Sequence, residues 1–146
     1  MRVRDVLDRK PSSVITVEPE TEVGAVARLL VQHGIGGVPV ATRGGRLVGF
    51  LAEREIVQAV DVHSDGVRRL RAEDVMRPAP TCTADDPLQD VMARMTRQRL
   101  RHLVVVDDGR PAAVISVGDL VKHRLEQLET ETGVLRDVVA AQRAFR

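Results

Sequence analysis

The chain states nearly the same pattern twice, and that repetition limits its fold more than any other feature. Asp5-Val6-Leu7 is answered by Asp74-Val75-Met76, and Thr16-Val17 with Val23 by Thr81-Cys82 with Leu88. The run Gly49-Phe50-Leu51-Ala52-Glu53-Arg54-Glu55 is answered by Ala113-Val114-Ile115-Ser116-Val117-Gly118-Asp119. The spacing between equivalents shrinks slightly along the unit, as small loop deletions would make it. A period of this kind marks a supersecondary unit that buries its apolar face against its copy. A unit of about 60 residues is marginal for burying a core alone. The 146 residues therefore read as one module of two halves, packed about a pseudo-two-fold axis. A cleft between the halves is where a ligand would sit.

Each unit reads as β-α-β-β-α. In the first, Pro11-Ser12-Ser13 breaks any helix after the arm Val3 to Leu7, and Val14 to Val17 is a β-branched run suited to a strand. Thr21 stands where a helix cap belongs, ahead of apolar positions Val23, Val26, Ala27 and Leu30, and Gly34 stands at the helix C-cap. Two strands follow, 35–40 and 47–51, joined by the turn Arg43-Gly44-Gly45-Arg46, and a helix from Glu53 closes the unit. The second unit runs the same course, with Asp86 as cap, Pro87 at the first helical position, strands 103–106 and 111–115, and a closing helix from Gly118. The expected divisions are 1–62 for the first repeat, 63–71 for a polar, irregular linker, 72–126 for the second repeat and 127–146 for a helical tail.

Composition narrows the function. Aromatics make up 1% of the chain, so the core is aliphatic and the stacking platforms of single-strand nucleic-acid binders are missing. A net charge of +1 exerts no general pull toward nucleic acid or anionic membrane. One cysteine, Cys82, permits neither an internal disulfide nor a cysteine-based zinc cluster. With no apolar run of membrane-spanning length and no signal-like start, a cytoplasmic protein is expected. No Ser-His-Asp, paired-carboxylate or metal constellation emerges to support catalysis.

In order, the strings Asp-Val-Leu/Met, Thr-Val, His33-Gly34-Ile35-Gly36-Gly37-Val38-Pro39-Val40, Gly44-Gly45-Arg46-Leu47-Val48-Gly49-Phe50-Leu51 and Glu53-Arg54-Glu55-Ile56-Val57 resemble a cystathionine-β-synthase (CBS) domain. With the second copy the chain resembles a tandem CBS pair, the Bateman module, over roughly residues 3–126. The resemblance implies a mixed α/β regulatory fold that binds adenosine-containing ligands (AMP, ADP, ATP, S-adenosylmethionine) between the repeats, without catalysis and without a catalytic cofactor. Its signature is a strand end followed by Ser or Thr, two spacers and Asp. The hydroxyl and first helix amides would face a phosphate, and the Asp would accept from the ribose hydroxyls. Ser116-Val117-Gly118-Asp119 keeps that signature, although the same spacing also describes a plain capped helix start. The resemblance places Thr81, Cys82, Thr83, Arg101, His102 and Gly118 beside it, with Arg101 and His102 as phosphate neighbours. Cys82 by itself reads as a small buried hydrophobe, and Arg94 and Arg97 as residues solvating a helix face. The first repeat departs from the signature at Ala52 and Glu55. Its site, with Thr16, Val17, Gly37, Pro39 and Arg54, is expected to be the weaker of two.

The tail carries Val121, Leu128 and Leu135 at heptad spacing, flanked by Leu125, Thr132 and Val139. It could lie on its own module, pair with a second subunit, or fray, and Gly133 weakens it by about 1 kcal/mol relative to Ala. Helices with more than one apolar edge, together with the resemblance, point to a homodimer. A protein partner is also expected, one that a ligand-driven shift of the repeats would address.

Overall fold

The computed structural model describes residues 1–7 and 13–144, with the side chains of all but 134–138 and 142–144. Pro11 and Ser12, read as a helix breaker, and the Leu135 side chain lie outside the described residues. The fold is mixed α/β, as the two-unit pattern predicts.

A short helix α1 (Val3–Leu7) comes first. Of the strand expected at 14–17, only Val17 pairs, bridging in parallel to Val40. Helix α2 (Val23–His33) buries Val23, Val26 and Leu30, and it ends at Gly34 in the left-handed conformation, φ 61°, whose N–H closes onto Leu30 and Val31. Its N-cap is Glu22 rather than Thr21, with no side-chain cap bond. Strands β1 (Gly37–Ala41) and β2 (Leu47–Ala52) pair antiparallel, Gly37 opposite Ala52 and Pro39 opposite Phe50. Helix α3 (Glu53–His63) follows.

The linker is not irregular. Ser64–Arg69 form a 3-10 helix, followed by the single turn α4 (Ala72–Val75). The second repeat adds β3 (Thr81–Cys82), α5 (Leu88–Gln98), β4 (His102–Asp107), β5 (Arg110–Ser116) and α6 (Val117–Ala144). Strand β3 lies parallel to β4, and β4 antiparallel to β5. Pro87, not Asp86, holds the N-cap position of α5, because the Asp86 carboxylate is turned back onto the Thr83 N–H and hydroxyl. The expected tail is no separate element: α6 runs on through Gly133 without a break.

The cores are built by exchange. Val3 and Val6 of α1 pack into the second repeat's cluster with Cys82, Leu88, Met95 and Ile115. The Val3 and Arg4 N–H groups donate to the carbonyls of Asp86 and Ala84. Reciprocally, Ala72, Val75 and Met76 pack with Val17, Val26, Val38 and Leu51 of the first repeat. There the Val23 N–H donates to Leu70 and the Ala72 N–H to Thr21. In both leading helices an Asp caps the turn: Asp5 accepts from the Arg2 N–H and Asp74 from the Arg71 N–H, which is why the Asp-Val pair recurs.

Between the repeats, Phe50, Ala52 and Val104 form a third cluster. Phe50 is fully buried, and sequestering such a side chain contributes about 1.5–3 kcal/mol. The two hairpins also meet through polar bonds, Leu47 N–H to the Gly109 carbonyl (3.1 Å) and Arg110 Nη1 to the Gly44 carbonyl (2.7 Å).

Candidate functional site

The end of β5 passes straight into α6, and that junction carries Ser116 and Asp119. The Asp119 carboxylate accepts from the Ser116 N–H (2.8 Å) and hydroxyl (2.9 Å), while the Asp119 N–H donates to Ser116 Oγ (3.1 Å). The pair is thus a reciprocal helix cap, and it also stands half-buried in the wall of a cleft of about 360 Å³. Facing it are Ser13, Val14 and Ile15, which lead into the first repeat, and the turn and strand start Gly34 to Gly37. His102, Ala113 and Val114 complete the wall on the second repeat's side. Neither repeat makes the cleft alone.

Two glycines let the walls approach. A Cβ on Gly37 would lie 2.7 Å from Phe50 Cζ, and one on Gly36 would lie 3.2 Å from His102 Nε2. The Phe50 and His102 rings, 5.4 Å apart between centroids, therefore rest against bare backbone. Burial, helped by the Arg77 cation, pushes the His102 imidazole below its ordinary pKa against the pull of Glu53, Asp119 and Glu55. The ring is neutral at neutral pH, so it offers hydrogen bonds and a flat face rather than the countercharge expected for a phosphate neighbour.

The equivalent position in the first repeat is filled by the chain itself. Ala52 and Glu55 are each 6% exposed. Glu55 Oε2 accepts from the Ala52 N–H (3.0 Å), and Glu55 Oε1 pairs with Arg77 Nε (3.0 Å). The Arg77 guanidinium lies over the Phe50 ring, 5.5 Å from its centroid. Arg77 and Phe50 are also locked by paired backbone bonds, 2.8 and 3.0 Å.

Of the residues expected beside Ser116 and Asp119, only His102 shares their cleft. Thr81 is in the sheet opposite Val104, and its carbonyl takes a bond from Arg94 Nη1 (2.5 Å), so Arg94 is a structural anchor and not a solvating residue. Cys82 is in the core, where burial, with the Asp86 charge, pushes the thiol up to about 11. Thr83 is engaged with Asp86. Arg101 lines a different groove, between α5 and α6, and Gly118 sits in the first turn of α6 outside the cleft lining. From the weaker set, Gly37 belongs to the Ser116–Asp119 cleft instead. Thr16 and Arg54 are exposed, and Val17 and Pro39 are buried in the first repeat. Ser13 to Ile15, Gly34 to Gly36, Ala113 and Val114 were not anticipated. The repeat pattern was the signal that could have found them, because a cleft shared by two halves draws the lead-in of one to the helix start of the other. Among the described residues no group of His, Cys, Asp and Glu is placed to hold a metal, and no helix is long and apolar enough to cross a membrane.

The CBS domain family matches the chain twice, over residues 3–62 and 72–126. A CBS-domain-containing protein from Agrobacterium tumefaciens has a solved structure that is 35% identical, with a TM-score of 0.79, over 84% of this chain and 92% of that one. A CBS domain protein from Pyrobaculum aerophilum, solved in complex with AMP, is 27% identical with a TM-score of 0.76, over 90% and 99% of the two chains. Among curated proteins, L-aspartate semialdehyde sulfurtransferase and inosine-5'-monophosphate dehydrogenase of Methanocaldococcus jannaschii are 26% and 28% identical over 74% and 76% of this chain. The chain spans only 20% and 22% of their lengths.

Proposed function

This chain belongs to the CBS domain family, and from that premise we propose that it is a ligand-sensing regulatory module, without catalysis, that binds one adenosine-containing ligand per chain. The observation that carries the reading is the cleft in which the Ser116–Asp119 helix start of one repeat faces the Gly34–Gly37 backbone of the other. Its volume, about 360 Å³, falls in the range of roughly 300–1,000 Å³ usual for small-molecule sites. Asp119, an acceptor-only group when ionised, takes the ribose hydroxyls in exchange for its bonds to Ser116. Val14, Ile15 and Val114 supply apolar walls for the base, and the α6 N-terminus receives the phosphate. AMP in the Pyrobaculum relative supports this class of ligand. AMP, ADP, ATP and S-adenosylmethionine are the compounds to try. A ligand touching both repeats favours one relative orientation of them, and a protein partner that distinguishes the orientations is thereby coupled to the ligand. The module works as a cytoplasmic homodimer.

A second reading is a structural or protein-interaction CBS dimer that has lost its nucleotide. It draws on the same cap, in which Ser116 and Asp119 already satisfy one another. Thermal unfolding across the adenosine panel separates the two readings. A ligand at 100 times its Kd adds about 2.7 kcal/mol of stability, a rise in Tm of several degrees. Asp119→Ala is expected to keep the fold and lose most of that rise, against a wild type that binds one ligand per chain. Unchanged melting across the whole panel would establish the structural reading in place of the sensing one.

A further inference from the structure

Carboxylates from both repeats border the ligand cleft. Asp119 stands in its wall on the second repeat's side, and among the described lining residues it is the acidic one. Glu53, the first residue of α3, reaches the opposite rim from the first repeat. Its N–H donates to the Gly36 carbonyl (3.0 Å), and its carboxyl carbon lies 4.0 Å from where a Gly36 Cβ would stand. Gly36 is itself part of the lining. His102 rests against Gly36, and the charges of Glu53 and Asp119 both act on a ring that burial and Arg77 keep neutral. The arginines of this region are engaged elsewhere: Arg77 pairs with Glu55, and Arg101 lines the groove between α5 and α6.

The α6 start has less to offer an anion than its position suggests. The Val117 N–H donates to the Arg101 carbonyl (3.0 Å), the Ser116 N–H to Asp119 (2.8 Å), and the Asp119 N–H to Ser116 Oγ (3.1 Å). A phosphate received there displaces bonds that the protein already makes. The Glu53 side chain, by contrast, is exposed at the rim.

We infer that the cleft selects among adenosine compounds by the charge on the ribose 5′ substituent, favouring a positive centre over a phosphate, and that Glu53 sets this preference. Charges at a partly buried site are screened less than in bulk water, so a cation beside Glu53 is held and a further anion is repelled. The sulfonium of S-adenosylmethionine is such a cation. AMP brings negative charge to the same place, and ATP brings more. This preference rests on the ligand-sensing reading and ranks the compounds which that reading admits.

Calorimetric titration of the full-length chain with S-adenosylmethionine, S-adenosylhomocysteine, AMP and ATP tests it. S-adenosylhomocysteine carries a neutral thioether where S-adenosylmethionine carries the sulfonium, so the pair isolates the charge. S-adenosylmethionine is expected to bind at least about tenfold tighter than each of the other three. Glu53→Gln, a change at an exposed position, narrows its lead over S-adenosylhomocysteine to within about threefold and tightens AMP binding. Equal affinity for the sulfonium and the thioether, or tighter binding of AMP or ATP, would overturn the charge selection and leave the sensing reading standing. A lead that Glu53→Gln leaves intact would overturn the assignment to Glu53. Failure of all four compounds to bind would overturn the sensing reading, and this preference with it.

Discussion

The two repeats share a strand-to-helix junction and use it for opposite ends. In each, a carboxylate at the third helical position reaches back to the amide at the strand end, Glu55 to Ala52 and Asp119 to Ser116. One methylene separates the outcomes. The longer Glu55 also reaches Arg77, which is held on Phe50, and both Ala52 and Glu55 are buried. Asp119 binds Ser116 and lines the cleft. The facing strand diverges to match: His102 of one repeat rests on Gly36 of the other, while the position equivalent to His102 is Gly37. The Ser116–Asp119 junction lines a cleft, and the Ala52–Glu55 junction is buried.

Three measurements bear on that contrast. The largest effect is expected from Glu55→Ala. Removing one partner of a fully buried ion pair costs about 3–5 kcal/mol, and the 30% exposure of the Arg77 side chain lowers this to about 2 kcal/mol. Asp119→Ala removes a cap worth only about 1 kcal/mol. Denaturant titration of both variants, read by linear extrapolation, tests whether the first junction serves stability and the second does not; equal losses would erase the distinction.

A smaller effect is tied to His102. Its folded pKa is depressed, chiefly by burial, so near pH 6.5 the unfolded chain takes up a proton that the folded chain refuses. Stability is therefore full above the ordinary histidine value and declines as the pH falls through it toward the folded pKa. The slope from this group is no steeper than about 1.4 kcal/mol per pH unit. Comparing wild type with His102→Gln isolates the contribution from the other histidines; matching pH profiles would mean that the ring is not held neutral by its setting.

The smallest effect is at the helix ends. Gly34 and Arg99 both close a helix in the left-handed conformation, at φ 61° and 54°. Only the first is a glycine. Arg99→Gly is expected to raise stability by about 0.5–1 kcal/mol, seen as a small increase in Tm. A decrease would show that the arginine side chain contributes more than its backbone conformation costs.

Most elements were legible because each rests on a local pattern. The apolar stripe of α2, the glycine at its end, and the paired strand-turn-strand runs need only a few neighbouring residues to be recognised. What escaped depended on distant partners. A five-residue arm such as Val3 to Leu7 shows one apolar edge but nothing to tell which core receives it. Val14 and Ile15 read as strand because they are β-branched, yet they line the cleft and only Val17 pairs. The resemblance places Thr81 to Thr83 beside Ser116, whereas the cleft there is lined by Ser13 to Ile15, the lead-in of the opposite repeat. Arg77 gave no sign at all, since its meaning lies in Glu55 and Phe50 across the module.

The exchange of α1 and the α4 segment between repeats fixes the order in which the molecule can be completed. Val3 and Val6 precede by more than a hundred residues the Ile115 and Leu120 of the cluster that receives them. Joining them closes a loop that takes in both repeats. Loop closure of that length slows folding far more than it lowers final stability. The second repeat's core is thus completed by a segment that precedes the first repeat, and the first repeat's core by the segment that follows it. A chain cut between the repeats would leave each fragment lacking a piece of its own interior that the other fragment holds.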